Sequence, residues 1–444
     1  MKKIISLFLT LILLCSIIIF GVSCAQTTVA SGSKEEVATS SIEKSETRTE
    51  ESQSGSSREI IELTVWAGNW QEPKIAELTS QFGEENPNIK IKYEYFPWET
   101  MLDTYTVALR NDAGPHVMDH VIYWTALFQK MGKFLPIDDL VAADNYDMSI
   151  YFEAPVDGLT FDGQIYGLPY QNETQSLIYN KTLFEEAGLD PEDPPETWPE
   201  LLEYAKKLTK GDVYGFGLVG DEFVNSTDQV FTLILCNGGE ILNEDNTKCL
   251  LNEPAAVEAV QFWVDMLLVD KVAPKSSLEN NNTVNMELFY NEKVAMIMQG
   301  NYAIPTILEH NPGINMATVL APEWVDRKYV LGGWNMSMTN AVKDEETKRA
   351  AWEYMKFIAS NDISPTYTNS LPAIKTATGH EKYSDPLLKS FVDSLSYCVA
   401  MPKVAEMTEI RQIIFDNLQY ALLGDKTVEE CLDIIVEEVD LLLK

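Results

Sequence analysis

The chain has 444 residues, of which 45% are apolar and 10% aromatic, so it can bury the cores of two or three ordinary domains. Its formal net charge of −35 argues against binding to nucleic acid, which needs clustered Lys and Arg, and against attachment to an anionic lipid surface through basic residues. The six cysteines form no CxxC motif and no Cys/His cluster with zinc spacing, so neither a disulfide scaffold nor a structural zinc site is expected.

Residues 1–23 have the pattern of a secretory signal peptide. Two lysines precede an uncharged, mostly apolar run over residues 4–20, and small residues then lead to Cys24. This segment resembles a bacterial lipoprotein leader, in which the cysteine is lipidated and becomes the first residue of the mature chain. The usual Leu three positions before that cysteine is replaced here by Gly21. We expect export and a lipid anchor at Cys24, with an uncleaved anchor helix or cleavage at another position as the alternatives.

Residues 24–58 are expected to form a disordered tether behind the lipidated cysteine. The segment is rich in Ser, Thr, Glu and Lys, and it has few apolar residues and no periodicity. Such a composition cannot bury enough surface to offset the entropy lost on ordering. A flexible tether would hold a folded domain clear of the membrane.

From residue 60 onward, strand and helix patterns alternate. Alternating apolar residues predict strands over 61–65 and 89–95, and the apolar run 117–123 predicts a third strand. Helical spacing of apolar residues predicts helices over 75–82 and 99–110. This order predicts parallel βαβ units and therefore an α/β layer fold.

The remainder of the chain is predicted to be mainly helical. Thr197 and Glu200 have the spacing of a capping box, which predicts a helix running to about residue 209. A strand is predicted over 294–298. Further helices are predicted over 183–187, 255–269, 284–290, 345–359, 386–395, 407–423 and 428–443.

Several short motifs occur in a fixed order. They are Tyr-Gly-Leu-Pro at 166–169, Ile-Tyr-Asn-Lys at 178–181, Ala-Gly-Leu at 187–189 and Pro-Glu-Thr-Trp at 195–198, followed later by Gly-Gly-Trp at 332–334 and Leu-Pro-Ala at 371–373. This ordered set resembles the extracellular solute-binding proteins of ABC importers, in the carbohydrate-binding branch that includes the maltose-binding proteins. The family's usual Pro-Asp-Val is replaced by Pro-His-Val at 115–117, and Asp119 lies two residues beyond it.

The resemblance covers residues 59–444 and implies a fold, a function and partners. It implies a type II periplasmic-binding-protein-like α/β fold, in which two lobes meet at a hinge and the ligand lies in the cleft between them. The chain would cross from one lobe to the other near residue 170 and return later. The protein would be a monomer outside the cell membrane that captures a carbohydrate, expected to be an oligosaccharide, and delivers it to an ABC permease, without catalysis, cofactor or metal.

A sugar site needs aromatic platforms for the flat faces of the sugar and polar groups for its hydroxyl edges. Candidate ligand-binding residues follow predicted strand ends or the expected crossover: Trp66, Trp70, Trp124, Gln171, Glu173, Asn301, Tyr302 and Trp334. Of these, Trp334 is the strongest candidate, because two preceding glycines would let the backbone approach closely and leave the indole exposed as a stacking face. Ordinary packing or loop polarity is the alternative for each candidate.

Other patterns are weaker. His116 and His120 have the spacing of a zinc pair on a helix, but they fall in a strand-like stretch without an HExxH motif, so no metal site is expected. Acidic residues between 138 and 144 lack the order of an EF-hand. Cys236 and Cys249 are candidates either for a disulfide or for two buried thiols. The alternative functions are a sensor or non-sugar-binding version of the same fold, or a surface enzyme acting on polysaccharide.

Overall fold

The computed structural model describes residues 60–367 and 370–444. The predicted signal peptide 1–23, the lipidation at Cys24 and the tether 24–58 lie outside these described residues. Within the described ranges, no helix has both the length and the apolar composition needed to cross a membrane.

The helices and strands of the described ranges follow one another along most of the chain. The helices are α1 Glu72–Glu85, α2 Trp98–Arg110, α3 Thr125–Lys130, α4 Asp138–Asp144, α5 Glu153–Gly158, α6 Lys181–Glu186, α7 Trp198–Leu208, α8 Phe223–Cys236, α9 Pro254–Leu268, α10 Asn282–Tyr290, α11 Ala303–His310, α12 Glu345–Ile358, α13 Ser364–Tyr367, α14 Pro386–Ser394, α15 Met407–Leu423 and α16 Val428–Leu442. The strands are β1 Ile61–Gly68, β2 Ile89–Phe96, β3 Val117–Val121, β4 Thr160–Phe161, β5 Gln164–Ile165, β6 Leu168–Glu173, β7 Gln175–Asn180, β8 Tyr214–Gly217, β9 Val294–Gly300, β10 Met316–Leu320, β11 Tyr329–Val330, β12 Gly332–Met338, β13 Leu371–Pro372 and β14 Cys398–Val399.

A six-stranded sheet forms the centre of the first lobe, in the order β13-β6-β12-β3-β1-β2. β1 pairs in parallel with β2 and β3, as the βαβ pattern predicts, whereas β12 runs antiparallel to β3 and β6. In α1, Ile75, Leu78 and Phe82 are buried because their spacing places them on one face of the helix. These layers confirm the predicted α/β class.

A four-stranded sheet forms the centre of the second lobe, in the order β10-β7-β9-β8. β7 is antiparallel to both of its neighbours, and β8 is parallel to β9. The predicted capping box is formed at the start of α7, where the Thr197 hydroxyl accepts from the Glu200 amide and the Glu200 carboxylate accepts from the Thr197 amide. The C-terminal helices α15 and α16 pack against α8 and α9 in this lobe.

The described chain passes between the two sheets at three places. Thr174 alone separates β6 from β7, and Leu331 alone separates β11 from β12. After β13 the chain leaves the first sheet again and reaches α14, which packs on β10. The first two connections are short and therefore suited to hinge bending, because the rotation is confined to a few backbone torsions.

Two of the local differences from the sequence-based expectations bear on the site. Residues 223–236, for which the periodicity predicts no helix, form α8, and every residue of this helix is buried or partly buried. Gly332 and Gly333, where no strand is predicted, begin the strand β12.

Candidate functional site

A cavity of about 480 Å³ lies between the two lobes. Its first-lobe wall consists of Trp70, Trp98, Val121, Tyr123, Glu173, Gly332, Gly333 and Trp334. Its second-lobe wall consists of Glu222, Val224, Asn225, Asp228, Asn282, Tyr302 and Arg411, and Val330 and Leu331 of the connection complete it. The ends of β1, β3, β6 and β9 meet at this cavity, which is where α/β sheets commonly bind ligands.

Trp70 and Tyr302 lie on opposite sides of the cavity, and each of them closely follows a glycine that ends a strand. Trp70 lies two residues after Gly68, which ends β1, and Tyr302 lies two residues after Gly300, which ends β9. A Cβ on Gly68 would lie 2.4 Å from the Trp70 ring, and a Cβ on Gly300 would lie 2.3 Å from the Tyr302 ring. Each glycine therefore allows the following aromatic ring to fold back over the strand end.

Tryptophan rings form the aromatic part of the first-lobe wall. Trp70 and Trp98 are 46% and 38% exposed, and the Trp334 ring lies between them, 5.0 Å from the first and 6.0 Å from the second. Trp334 is only 6% exposed, so the expectation of an exposed indole at this position is wrong. Its neighbours cover it, and the two exposed indoles present most of the aromatic surface.

The glycine before Trp334 has a defined structural role. Gly333 has φ 147°, and a Cβ at this position would lie 2.3 Å from the carbonyl oxygen of Gln171 on β6. The pairing of β12 with β6 also shifts in register between Trp334 and Asn335. The close backbone approach expected from the glycines is thus present, but it packs the indole into the wall.

Glu173 is the carboxylate of the first-lobe wall. Its Oε1 accepts hydrogen bonds from Gln171 Nε2 at 2.8 Å and from the Ser370 hydroxyl at 3.3 Å. Burial raises the pKa of Glu173 above its ordinary value, whereas the hydrogen bonds from Gln171 and Ser370 oppose this rise. The side chain is held in one orientation at the end of β6.

A second polar group lies at the start of α8 and α10. The Glu222 carboxylate accepts from the Asn282 backbone amide at 2.7 Å and from Asn225 Nδ2 at 2.6 Å. Asn282 Nδ2 in turn donates to the Tyr302 hydroxyl at 2.7 Å. These bonds place a carboxylate, two amides and a phenol along the second-lobe wall.

The electrostatics of the cavity are dominated by carboxylates. Burial raises the pKa of the Tyr302 hydroxyl above its ordinary value, and the charges of Glu173, Glu222 and Asp228 raise it further. The carboxylates of both lobes therefore lie close enough to the Tyr302 hydroxyl to influence its ionisation.

Among the described wall residues, Arg411 on α15 is the only cation, and it is already paired. Its guanidinium lies 2.7 Å from Asp228 Oδ1 and donates to the Thr227 hydroxyl at 2.9 Å. It also lies 4.8 Å from the ring centre of Tyr123 in the first lobe and 5.3 Å from that of Phe231. Arg411 is 1% exposed, so its charge is balanced by these protein groups and not by water.

Four of the eight residues predicted from the sequence line the cavity: Trp70, Glu173, Tyr302 and Trp334. Gln171 does not line it and instead positions Glu173. Asn301 is 2% exposed and precedes the wall residue Tyr302, and its carbonyl accepts from Ile304 at the start of α11. Both residues support the wall without forming it.

Trp66 and Trp124 also lie outside the cavity wall. The Trp66 indole donates to Glu94 at 3.0 Å and packs in the core of the first lobe, because its position along β1 turns it away from the strand end. Trp124 is 3% exposed and stacks behind Trp98, with ring centroids 5.5 Å apart.

Sequence reasoning missed several wall residues: Trp98, Tyr123, Glu222, Asn225, Asp228, Asn282 and Arg411. Four of them lie in or beside α8 or at the start of α10, outside the predicted strand ends. For Arg411 a signal was present, since Met407, Arg411, Ile414 and Leu418 share the spacing of one buried helix face. An Arg side chain among the apolar residues of a buried helix face indicates that its charge has a buried protein partner.

The weaker patterns have structural explanations. His116 Nδ1 accepts from the Thr64 backbone amide, and His120 bonds to the Ser337 hydroxyl at 2.7 Å. The described residues contain no cluster of three or more His, Cys, Asp or Glu side chains that would hold a metal. Asp139 pairs with Lys348, and Asp144 pairs with Arg349 and Lys356.

Cys236 and Cys249 are both free and buried. The Cys236 thiol donates to the carbonyl of Lys328 at 3.1 Å. The structure therefore has two buried thiols at these positions, which was one of the two sequence-based alternatives.

Comparison with known proteins gives a consistent result. The family model described as bacterial extracellular solute-binding protein matches residues 66–364, more than half of the chain. The sn-glycerol-3-phosphate-binding periplasmic protein UgpB of Escherichia coli is 25% identical over 88% of this chain and 94% of its own.

Solved structures of solute-binding proteins are similar as well. An ABC transporter solute-binding protein from Thermotoga lettingae, bound with α-D-tagatose, is 25% identical with a TM-score of 0.75, covering 86% of this chain and all of its own. The sugar-binding protein MalE from Xanthomonas citri is 22% identical with a TM-score of 0.77, covering 86% of this chain and 97% of its own, and it shows the same fold.

Proposed function

The chain belongs to the bacterial extracellular solute-binding proteins, and we propose that it captures a neutral carbohydrate in the interlobe cavity and delivers it to an ABC permease. The ligands named for its relatives support a polyhydroxylated solute, since they include tagatose, maltose and ribitol. Family and structural relatives are binding proteins, which supports capture and release without catalysis.

This proposal rests on one observation: aromatic side chains on one lobe face polar side chains on the other lobe across the cavity. Exposed faces of Trp70 and Trp98 lie on one lobe, and the carboxylate and amide groups of Glu222, Asn225 and Asp228 lie on the other. Sugars offer a flat apolar face and a rim of hydroxyls, so this wall can stack the face and accept from the rim. A volume of about 480 Å³ falls within the range of about 300–1,000 Å³ common for small-ligand sites.

We infer that the lobes close on the ligand by bending at Thr174 and Leu331. Two side-chain contacts join the lobes in this structure: Arg411 against the ring of Tyr123, and the ion pair of Lys130 with Glu406 at 2.6 Å. Both contacts would change when the lobes separate. Closure of this type is part of the known repertoire of two-lobed binding proteins.

A panel of neutral mono- and oligosaccharides tests the proposal by two readouts. A bound sugar raises the thermal unfolding temperature, because it binds only the folded state, and it changes the fluorescence of the cavity tryptophans. Flat responses to sugars of several lengths and linkages would contradict carbohydrate capture. Release of reducing ends from a polysaccharide would instead support a surface enzyme.

A cationic solute such as a polyamine is the second candidate ligand, and one observation favours it. The wall contains Glu173, Glu222 and Asp228, while its described cation Arg411 is already paired. A linear polyamine belongs in the same panel. Stabilisation by the polyamine without stabilisation by any sugar would replace the carbohydrate proposal. If the protein binds a solute but uptake of that solute does not depend on a permease, the protein acts as a sensor.

For the N-terminus we propose export, cleavage before Cys24 and lipidation of that cysteine, with residues 25–58 as a tether. The support is the sequence pattern alone, and Gly21 departs from that pattern because it stands where Leu is usual. Mass analysis of the mature N-terminus separates a lipidated cysteine from a secreted form cut elsewhere and from an uncleaved helix. Size-exclusion chromatography of the exported domain tests the expectation of a monomer.

A further inference from the structure

A series of buried hydrogen bonds connects Asp119 in β3 with the turn that carries Trp70. The Tyr170 hydroxyl donates to Asp119 Oδ1 at 2.9 Å, and Gln71 Nε2 donates to the Tyr170 oxygen at 2.9 Å. The Tyr367 hydroxyl donates to Gln71 Oε1 at 3.1 Å. Gln71 is 4% exposed, whereas its neighbour Trp70 is 46% exposed. The turn is therefore anchored by its buried residue and presents the exposed one to the cavity.

The charge of Asp119 determines the direction of these bonds. An ionised carboxylate only accepts, so the Tyr170 hydroxyl must point its proton at Asp119 and keep its lone pairs for Gln71. The Gln71 amide is then fixed with its nitrogen toward Tyr170 and its oxygen toward Tyr367. A neutral Asp119 can itself donate to Tyr170, which frees that hydroxyl to turn and removes the constraint on Gln71.

We propose that Asp119 is a positioning residue for ligand binding, whose ionisation sets the orientation of Trp70 through Tyr170 and Gln71. The ligand role of Trp70 rests on the proposed function, but the connection from Asp119 to Trp70 can be measured without any ligand.

The surroundings of Asp119 support a change of charge near neutral pH. The side chain is fully buried, and its Oδ2 has no hydrogen-bond partner among the described residues. Burial raises the pKa of Asp119 to about 7, and the nearby polar groups of Gln71 and Tyr170 oppose part of this rise.

The titratable groups that face Asp119 are tyrosines from several elements. They are Tyr93 of β2, Tyr105 of α2, Tyr170 of β6, Tyr354 of α12 and Tyr367 of α13. His120 is next in the chain, but its ring bonds to Ser337 and to its neighbour's carbonyl. No described Lys, Arg or His side chain lies within ion-pair distance of Asp119, so its charge is not neutralised locally.

Fluorine NMR of the protein labelled with 5-fluorotryptophan tests the proposal without ligand. The chain has nine tryptophans, and the Trp70→Phe variant identifies the resonance of Trp70. We expect that resonance to shift between pH 5 and pH 9 with one transition near pH 7. Asp119→Asn should abolish the transition, while the resonance of Trp263, in the core of the second lobe, should stay unchanged in both proteins.

Two further variants separate a positioning role from a purely structural one. Tyr170→Phe keeps Asp119 but removes the connection, so the Trp70 resonance should lose its transition even if Asp119→Asn fails to fold. Asp103→Asn removes an exposed carboxylate of the same lobe and should leave the transition in place. A flat Trp70 resonance in the unmodified protein, or an unchanged transition in Tyr170→Phe, would overturn the proposal. Neither result would bear on whether a sugar binds.

Discussion

The Trp70 and Trp334 rings meet at an angle of 65°, with their centroids 5.0 Å apart. Trp70 comes from the turn after β1, and Trp334 from β12 near the second crossing between the lobes. This edge-to-face contact uses the favourable orientation of aromatic pairs and leaves Trp70 about half exposed. The buried ring therefore supports the exposed ring that faces the cavity.

Replacing Trp70 with alanine should weaken binding of the cognate sugar while preserving the fold. The loss of one stacking face predicts a decrease of about 1–3 kcal/mol in binding free energy, measured by calorimetric titration. Tyr420→Ala, which removes an exposed aromatic of α15 outside the cavity wall, is the matched control and should bind normally. Unchanged affinity in Trp70→Ala would remove this residue from the ligand site.

Replacing Trp334 with alanine should lower stability as well as affinity. Because this indole is 6% exposed, its removal leaves a cavity, and we expect a loss of about 3–5 kcal/mol in the free energy of unfolding. Urea denaturation measures the loss, which should be clearly larger than that of Trp70→Ala. Equal stability of the two variants would contradict the assignment of Trp334 to the supporting position.

Replacing Arg411 with methionine should destabilise the protein, because it leaves Asp228 without its cationic partner. Removing one member of a buried pair costs about 3–5 kcal/mol, and the partial exposure of Asp228 favours the lower end of that range. Urea denaturation should show the loss, and the double variant Arg411→Met/Asp228→Asn should recover part of it. If Asp228→Asn lowered the free energy of unfolding of Arg411→Met by as much as it lowers that of the unmodified protein, the two side chains would not be coupled.

The cavity should discriminate against phosphorylated ligands. Glu173, Glu222 and Asp228 repel an added anion, and Arg411 is already engaged by one of them. For a neutral sugar that binds, we expect its phosphate ester to bind at least about tenfold more weakly, which corresponds to about 1.4 kcal/mol. Calorimetric titration with sn-glycerol-3-phosphate, the ligand named for UgpB, should show no binding. Tight binding of that ligand would contradict the electrostatic argument.

Asp119 should also make stability depend on pH. Its pKa is about 3.9 in an unfolded chain and is raised by burial to about 7 in the folded one. Between these values the folded protein keeps a proton that the unfolded chain releases, so the free energy of unfolding falls as pH rises, by up to about 1.4 kcal/mol per pH unit. Above pH 7, Asp119 is ionised in both the folded and the unfolded chain, so its contribution to the free energy of unfolding no longer changes with pH.

The difference between the unmodified protein and Asp119→Asn isolates this effect. Burial lowers the pKa of His120 to about 4, so His120 acts in the opposite sense, and stability from this residue is lost as pH falls below about 6.5. Both proteins contain His120, so its contribution cancels in the difference. In urea denaturation at pH 5, 6, 7 and 8, the variant should gain stability relative to the unmodified protein as pH rises to 7. A difference independent of pH would contradict the raised pKa.

Much of the fold could be predicted because its elements carry their own periodic patterns. Helices such as α1 and α12 have one apolar and one polar face, and β1 and β2 alternate, so local sequence specifies them. α8 could not be recognised in this way, since it is buried on nearly all sides. Because α8 is not predicted, Asn225 and Asp228 are absent from the candidate ligand-binding residues.

The sequence by itself determined the family motifs, the alternating strands and helices at the start of the folded region, and the supply of aromatic residues at strand ends, because these depend on neighbours along the chain. Only the tertiary structure decided that Trp70 faces the cavity while Trp66 enters the core, and that Arg411 of the C-terminal region meets Asp228 of α8. The physical reason is that side-chain direction and charge pairing are set by packing between distant segments. The leader and tether before residue 60 remain predictions from sequence alone.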